Sequence, residues 1–319
     1  MKKFLFVLIP VLALMACNQD QSAVNIGKLH AESDAFYTIV PKNAIVENVG
    51  VNFEFTEGPA WHGDGYLIFS DIPANKIYKM KGRKFEVFRE PSGNSNGLLV
   101  NKDGSVIACE HGTRSLTEYS ADGDLRTIAD NYKGARFNSP NDLCKSSSGI
   151  IYFTDPPWGL PKRNQDPSKE IPFNGVYMIK NGEVSLIDST LSWPNGIALS
   201  PEEKYLYVSN FETPLQDVRG TADVFWVRYE LDENGEPIGK TRFFDAPDVD
   251  LEGGPDGMKT DRKGNLFVTG PGGVLIINPE GEYLGRIELP VPATNLAFGP
   301  KEKDLYITAR STVVKVNLK

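Results

Sequence analysis

An all-β fold, and within it a six-bladed β-propeller, is what three features of the sequence predict. The first is a repeated pattern: a polar lead residue, a small or acidic neighbour, an apolar run, a Gly-bearing turn and a second apolar run. The second is the pitch of that repeat. Its lead residues are Glu57, Asn96, Asn141, Asn195, Asp256 and Asn295, spaced 39, 45, 54, 61 and 39 residues apart. One four-stranded blade takes roughly 40–45 residues, so six copies imply six blades. The third is the dominance of short alternating strands such as Tyr205-Leu206-Tyr207-Val208, with no long helical periodicity. Length alone, at 319 residues, would suggest two domains. The repeats overrule that expectation, because a closed propeller of this size is one cooperative unit.

Taken in order, the chain begins with two lysines, an apolar stretch from Phe4 to Met15, and Leu14-Met15-Ala16-Cys17. Residues 1–16 read as a secretory signal, too short and wrongly flanked for a membrane span. The residues before Cys17 resemble the lipobox of bacterial lipoproteins, in which the cysteine is acylated and becomes the mature N-terminus. An ordinary signal peptide cut nearby, with Cys17 incidental, is the alternative. Residues 17–43 are expected to be a polar tether and residues 44–319 the propeller. The expected location is the cell envelope of a bacterium, lipid-anchored and facing the periplasm or the surface, with the lipid as its sole contact with membrane. Cys109 and Cys144 sit in or beside apolar strand patterns and read as buried thiols, since no Cys-x-x-Cys or Cys/His cluster occurs. A net charge of −8 and the lack of a Lys/Arg run in the folded part argue against a nucleic-acid partner.

Blade one carries Glu57-Gly58-Pro59 and ends its second strand at Asp71, which reads equally as a turn residue or as a partner bracing the site. Blade two gives Asn96 and then His111, the one histidine of three placed to reach a channel mouth; it is a candidate general base or substrate ligand, or a hydrogen-bonded structural residue. Blade three holds Asn138-Ser139-Pro140-Asn141-Asp142 and, after its second strand, Asp155-Pro156-Pro157-Trp158-Gly159. The prolines force an exit into a loop, residues 158–173, that could overhang a pocket, with Trp158 either a wall for substrate or a packed anchor. Blade four supplies Trp193-Pro194-Asn195-Gly196, and the long interval after it implies extended outer strands or a loop around residues 214–221. Blade five brings Gly253-Gly254-Pro255-Asp256-Gly257, whose glycines allow close approach to the axis. Blade six has Asn295 and the final strand Val313-Val314-Lys315-Val316, which would close the ring by joining the sheet begun near the N-terminus.

In a propeller, equivalent positions of the innermost strands converge on one axis, so the six lead residues form a ring. Four amides and two carboxylates facing one another would be costly if dry and unpaired, whereas a hard cation such as calcium suits them. The plainer alternative is that Asn, Asp and Gly sit there because turns favour them.

Together, Glu57-Gly58-Pro59, Asn138-Ser139-Pro140-Asn141-Asp142, Phe153-Thr154-Asp155-Pro156-Pro157-Trp158-Gly159, Pro194-Asn195-Gly196 and Pro255-Asp256-Gly257-Met258 resemble the SMP-30/gluconolactonase/LRE-like family. The resemblance covers roughly residues 46–318. It implies a six-bladed propeller that hydrolyses sugar lactones or related esters with a divalent cation in the central channel, often calcium, with zinc, magnesium and manganese as alternatives. It also implies metal ligands at Glu57, Asn141, Asn195 and Asp256, with Asp256 moving a proton during hydrolysis. Some members carry an Arg-x-Asn whose Arg binds substrate. Arg136-Phe137-Asn138 matches that string, making Arg136 and Asn138 candidates for substrate binding. Counting back from Thr154-Asp155 instead places the metal-proximal amide at Asn141 and Ser139 where the Arg would stand. Paraoxonase-type lactonases have an amide beside the blade-five Asp, where this chain has Gly257.

The expected function is therefore a metal-dependent lactonase or esterase acting on a small-molecule lactone, with Asn96, His111, Trp158 and Asn295 as further substrate contacts. A non-catalytic surface propeller with a structural calcium ion is the alternative. The sequence leaves the substrate and the oligomeric state open.

Overall fold

The computed structural model describes residues 24–212 and 223–319. Residues 1–16, Cys17 and the stretch around 214–221 lie outside the described residues. Among those described, no helix is long and apolar enough to cross a membrane.

Six antiparallel sheets form the six blades. From inner to outer strand, blade one runs Thr56–His62, Tyr66–Asp71, Lys76–Lys81 and Lys84–Arg89, and blade two Ser95–Val100, Val106–Glu110, Ser115–Tyr119 and Leu125–Ala129. Blade three runs Leu143–Lys145, Ile151–Asp155, Gly175–Lys180 and Glu183–Asp188, and blade four Pro194–Leu199, Tyr205–Glu212, Asp223–Leu231 and Pro237–Asp245. The nine-residue outer strands of blade four account for much of the long interval before Asp256. Blade five is Met258–Thr260, Leu266–Gly270, Gly273–Ile277 and Tyr283–Glu288; blade six is Asn295–Phe298, Asp304–Ala309 and Thr312–Asn317. Each inner strand contacts the inner strands of both neighbouring blades, so the ring is closed.

Closure is made as expected: Val46–Gly50 pairs antiparallel with Thr312–Asn317 and supplies the outer strand of blade six. Sheet strands would otherwise leave an open edge at the end of the chain. The expected tether, by contrast, does not hold for the residues described. Lys28–Ala31 adds a fifth strand to the outer edge of blade five, pairing with Tyr283–Glu288. A short helix, Phe36–Ile39, follows, and Phe36, Ile39 and Val40 are buried in the core between blades five and six. Three apolar side chains among polar ones are enough to fold this stretch onto the body, because burying each stabilises by roughly 1.5–3 kcal/mol.

The blades meet through apolar faces and through a girdle of polar contacts near the axis. Ser70 Oγ donates to the Asn96 carbonyl at 2.8 Å, Thr154 Oγ1 to the Asn195 carbonyl at 2.6 Å and Ser209 Oγ to the Asp256 carbonyl at 2.9 Å. Backbone bonds from Gly97 to the Asn141 carbonyl and from Gly257 to the Thr294 carbonyl, at 2.8 and 2.7 Å, join further pairs of blades. The main chain of four lead residues is thus tied to the adjacent blade before its side chain does anything. Cys109 and Cys144 are free thiols, the first fully buried.

Candidate active site

Lead residues fall at or just before the start of the inner strands, and in three blades the ladder is irregular there. Register shifts lie between Glu57 and Ala60, Ser95 and Leu98, and Pro194 and Ile197. An irregularity of this kind breaks the strict alternation of a strand and re-aims a side chain. At blade one it needs Gly58: φ is +51°, and a Cβ would sit 1.9 Å from the Asn96 carbonyl oxygen.

The ring opens into a cavity of about 290 Å³. Its floor is Glu57, Asn96, Asn141, Asn195 and Asp256, and its walls are Phe55, Ile72, Pro73, His111, Trp158 and Phe211. Two larger clefts, about 730 and 540 Å³, lie by turns at the far ends of the inner strands and contain no lead residue. Volume therefore does not locate the chemistry here; the convergence of buried polar groups does.

Glu57 is buried and Asp256 partly so, and both hold their protons far above the usual carboxylate range. For Glu57 the cause is first burial and then the nearby Asp142 carboxylate, which together push its pKa up to about 8 against hydrogen bonds from Gly58 and Asn295. For Asp256 it is burial, then Glu57, then Asp142. Three carboxylates thus lie close together near the axis. His111 is displaced the other way, down to about 4 by burial, and its Nε2 lies 3.3 Å from the Asn96 amide nitrogen. It is a neutral imidazole at pH 7 and a weak base, which favours the structural alternative for it.

The structure brings Glu57, Asn96, His111, Asn141, Trp158, Asn195 and Asp256 to one cavity. Trp158 is both wall and anchor: it lines the cavity and packs on Trp193 with ring centroids 4.6 Å apart. Three expected substrate contacts are placed elsewhere. Arg136 is exposed, with its guanidinium donating to the Thr113 carbonyl at 3.1 Å. Asn138 is buried away from the cavity, its amide donating to the carbonyls of Asp155 and Phe173, both at 2.9 Å. The Arg-x-Asn string matched in letters but not in register, since Asn138 precedes the ring position by three residues. Asn295 lies behind the floor, where its Nδ2 donates to Glu57 Oε2 at 3.1 Å and to Asp142 Oδ2 at 3.3 Å. No arginine lines the cavity among the described residues. Sequence reading missed the apolar walls Phe55, Ile72, Pro73 and Phe211; Phe55 stands two residues before Glu57 and Ile72-Pro73 directly follow Asp71, which was the available signal.

The floor suits a hard divalent cation. Its donors are two carboxylates and amide oxygens, and Asn195 Oδ1 and Asn96 Oδ1 are buried without a hydrogen-bond partner. Orphaned acceptors of this kind are costly; a cation would satisfy Asn195 Oδ1 while relieving the repulsion between Glu57 and Asp256, and Asn96 Oδ1 stays open to a substrate donor. Among the described residues no three His, Cys, Asp or Glu side chains form a metal-holding group on their own, so the amides are needed. Gly257 cannot be replaced by the amide found in paraoxonase-type enzymes without rearrangement. A Cβ there would lie 2.0 Å from Asn295 Cγ, so Asn295 fills that space.

The chain is 37% identical over 330 aligned positions to a gluconolactonase from Zymomonas mobilis, covering 95% of this chain and 90% of that one. A gluconolactonase structure from Xanthomonas campestris superposes with a TM-score of 0.81 at 28% identity, covering 93% of this chain and 98% of the other. The calcium-binding protein regucalcin from Agrobacterium tumefaciens shares the fold, with a TM-score of 0.69 at 19% identity over 93% and 97% of the two chains. The model of the SMP-30/Gluconolactonase/LRE-like region matches residues 55–311, which reach into every blade and include every lead residue, and the chain belongs to that family.

Proposed function

We propose that this chain is a lactonase that opens a sugar lactone or a related cyclic ester by hydrolysis, with one divalent cation, calcium by preference, at the cavity floor. The observation that carries the reading is the convergence of Glu57, Asn141, Asn195 and Asp256 on a cavity walled by apolar side chains. Those four residues would hold the cation, and oxygen-only donors favour calcium over zinc. A bound cation supplies Lewis-acid polarisation of an ester carbonyl. With a cation beside it Asp256 would be ionised, and it would take a proton from water at a carboxylate oxygen as that water adds to the carbonyl carbon. The ring C–O bond then breaks, and the leaving oxygen takes the proton back, giving the hydroxy acid. Phe55, Ile72, Phe211 and Trp158 exclude bulk water, and Asn96, with an unpartnered Oδ1 on the floor, accepts a hydrogen bond from a substrate hydroxyl. The likeness to the Zymomonas gluconolactonase supports this substrate class. Acylation at Cys17 would hold the enzyme at the cell envelope.

The test is hydrolysis across aldonolactones, homoserine lactones and aryl esters, with chelator and with calcium restored. Turnover of a lactone that is lost on chelation and regained with calcium is expected. A cation that raises only thermal stability, with no substrate turned over, would favour a binding propeller with a structural ion.

A further inference from the structure

In three of the six blades, a residue at or near the end of the second strand reaches back to the chain that enters the inner strand. Asp71 accepts the backbone N–H groups of Glu54 and Phe55, both at 3.0 Å. Asp155 accepts those of Asn138 and Ser139, at 2.8 and 2.7 Å. Asn210 accepts the N–H of Trp193 at 2.9 Å, and its own amide donates to Ser192 Oγ at 3.1 Å. The last clamped N–H lies two residues before the lead residue each time: Phe55 before Glu57, Ser139 before Asn141, Trp193 before Asn195. These are not surface turns, for Asp71 is 2% exposed and Asp155 and Asn210 are fully buried.

The other blades close differently. At the same position blade five has Gly270 and blade six Ala309, neither with a side chain able to accept. In blade two Glu110 is engaged by Arg89, Thr113 and Thr117 instead. A blade therefore folds without the clamp, so the clamp is not a requirement of the sheet. A second-strand side chain clamps the chain behind Glu57, Asn141 and Asn195; behind Asn96 the N–H of Asn94 is held instead by Asn75 Oδ1 of blade one, at 2.8 Å, and behind Asn295 the second strand offers only Ala309. Asp256 is steadied by another device, its N–H donating to Thr269 Oγ1 at 2.9 Å.

Burying a carboxylate is costly unless it is well hydrogen-bonded, and an alanine would avoid that cost. What two parallel N–H bonds add is a fixed peptide plane a short reach from the lead residue, and donor atoms serving a cation need placement within about 0.5 Å. We propose that Asp71, Asp155 and Asn210 are positioning residues that orient Glu57, Asn141 and Asn195 for a bound divalent cation; this rests on the reading of the floor as a cation site.

The test uses the full chain and calcium itself. Calorimetric titration of wild type, Asp155→Ala, Asp155→Asn and Asp71→Asn is paired with melting curves and lactone kinetics. Asp188→Asn, a buried carboxylate in an outer strand, is the control for lost stability alone. Asp155→Ala should weaken calcium about 10–100-fold, the usual effect of removing a partner behind a ligand. Asp155→Asn should fall between it and wild type, since one acceptor remains as at Asn210. Asp188→Asn should melt earlier with calcium affinity unchanged. Clamp variants that melt earlier yet bind calcium within twofold of wild type would overturn the proposal. Should Asp155→Ala not fold, the near-isosteric Asp71→Asn and Asp155→Asn decide by the same criterion. Failure of wild type to take up calcium would instead remove the cation site, and the clamp's role with it.

Discussion

Substituting Gly257 by alanine should unseat Asn295, which supplies the three atoms nearest the added Cβ. The added Cβ would lie 2.0 Å from Asn295 Cγ and 2.1 Å from its Oδ1, far inside contact distance. Gly257 is not at positive φ, so the effect is one of space rather than backbone strain. The displaced amide loses its bonds to Glu57 and Asp142. At about 1–1.5 kcal/mol for each bond, depending on whether the acceptor is ionised, the loss is about 2–3 kcal/mol. Denaturant unfolding resolves a change of that size readily. The discriminating variant is Gly257→Ala combined with Asn295→Gly, which removes the atoms the methyl would strike. Coupling should appear as a double variant less destabilised than the sum of the singles by about 1–3 kcal/mol. Additivity within about 0.5 kcal/mol would refute the steric reasoning.

Asp256→Asn keeps an oxygen donor while removing the base, so calcium should be retained and turnover should fall on the order of 10²–10⁴-fold; a calcium-loaded variant working at the wild-type rate would exclude Asp256 as the base. Asp188 is pushed up by burial but pulled below its ordinary value overall by Lys240, Tyr229 and Thr190. Its contribution to stability is thus complete above about pH 4 and is lost as pH falls through its lower folded-state pKa. Tyr229→Phe removes one of those donors, so the acid limb of a melting-temperature profile should move to higher pH, and an unmoved limb would count against that account. Cys17→Ser should shift the protein from the membrane fraction to the soluble fraction and abolish labelling by a fatty-acid analogue; identical fractionation of the two would exclude the anchor.

Blade number and the ring were legible because they rest on recurrence. One Asn-Gly is only a turn, but the same residue types at one register of every repeat must share one place in a closed ring. The four residues assigned to the cation were found that way and by resemblance, and the structure gathers them on one floor. Arg136 and Asn138 were misplaced because a three-letter string carries no register, whereas the strand ending at Asp155 does. Asn295 has the right residue type at the right pitch, yet the missing side chain at Gly257 lets it sink behind the floor, a consequence of packing between adjacent blades that no single repeat reveals. Residues 28–40 escaped notice because a four-residue strand and a four-residue helix are too short to show periodicity. The walls were equally hidden, since Phe55 and Phe211 look like any strand-end aromatic until the blades are set around an axis.

The N-terminal strap imposes an order on how the ring can come apart. Lys28–Ala31 lies on the rim of blade five and Val46–Gly50 on the rim of blade six, with Phe36 and Val40 wedged between them. The last residue is itself stitched to this strap, Lys319 N donating to the Ile39 carbonyl at 2.9 Å. Tension or fraying that starts at the N-terminal side must peel the rim strand of blade five first and extract the wedge second. Only then is the strand that locks first blade to last exposed to loss. The closure is therefore shielded by a sacrificial layer, and a partial opening at the rim leaves the distant axis, with its cavity, undisturbed.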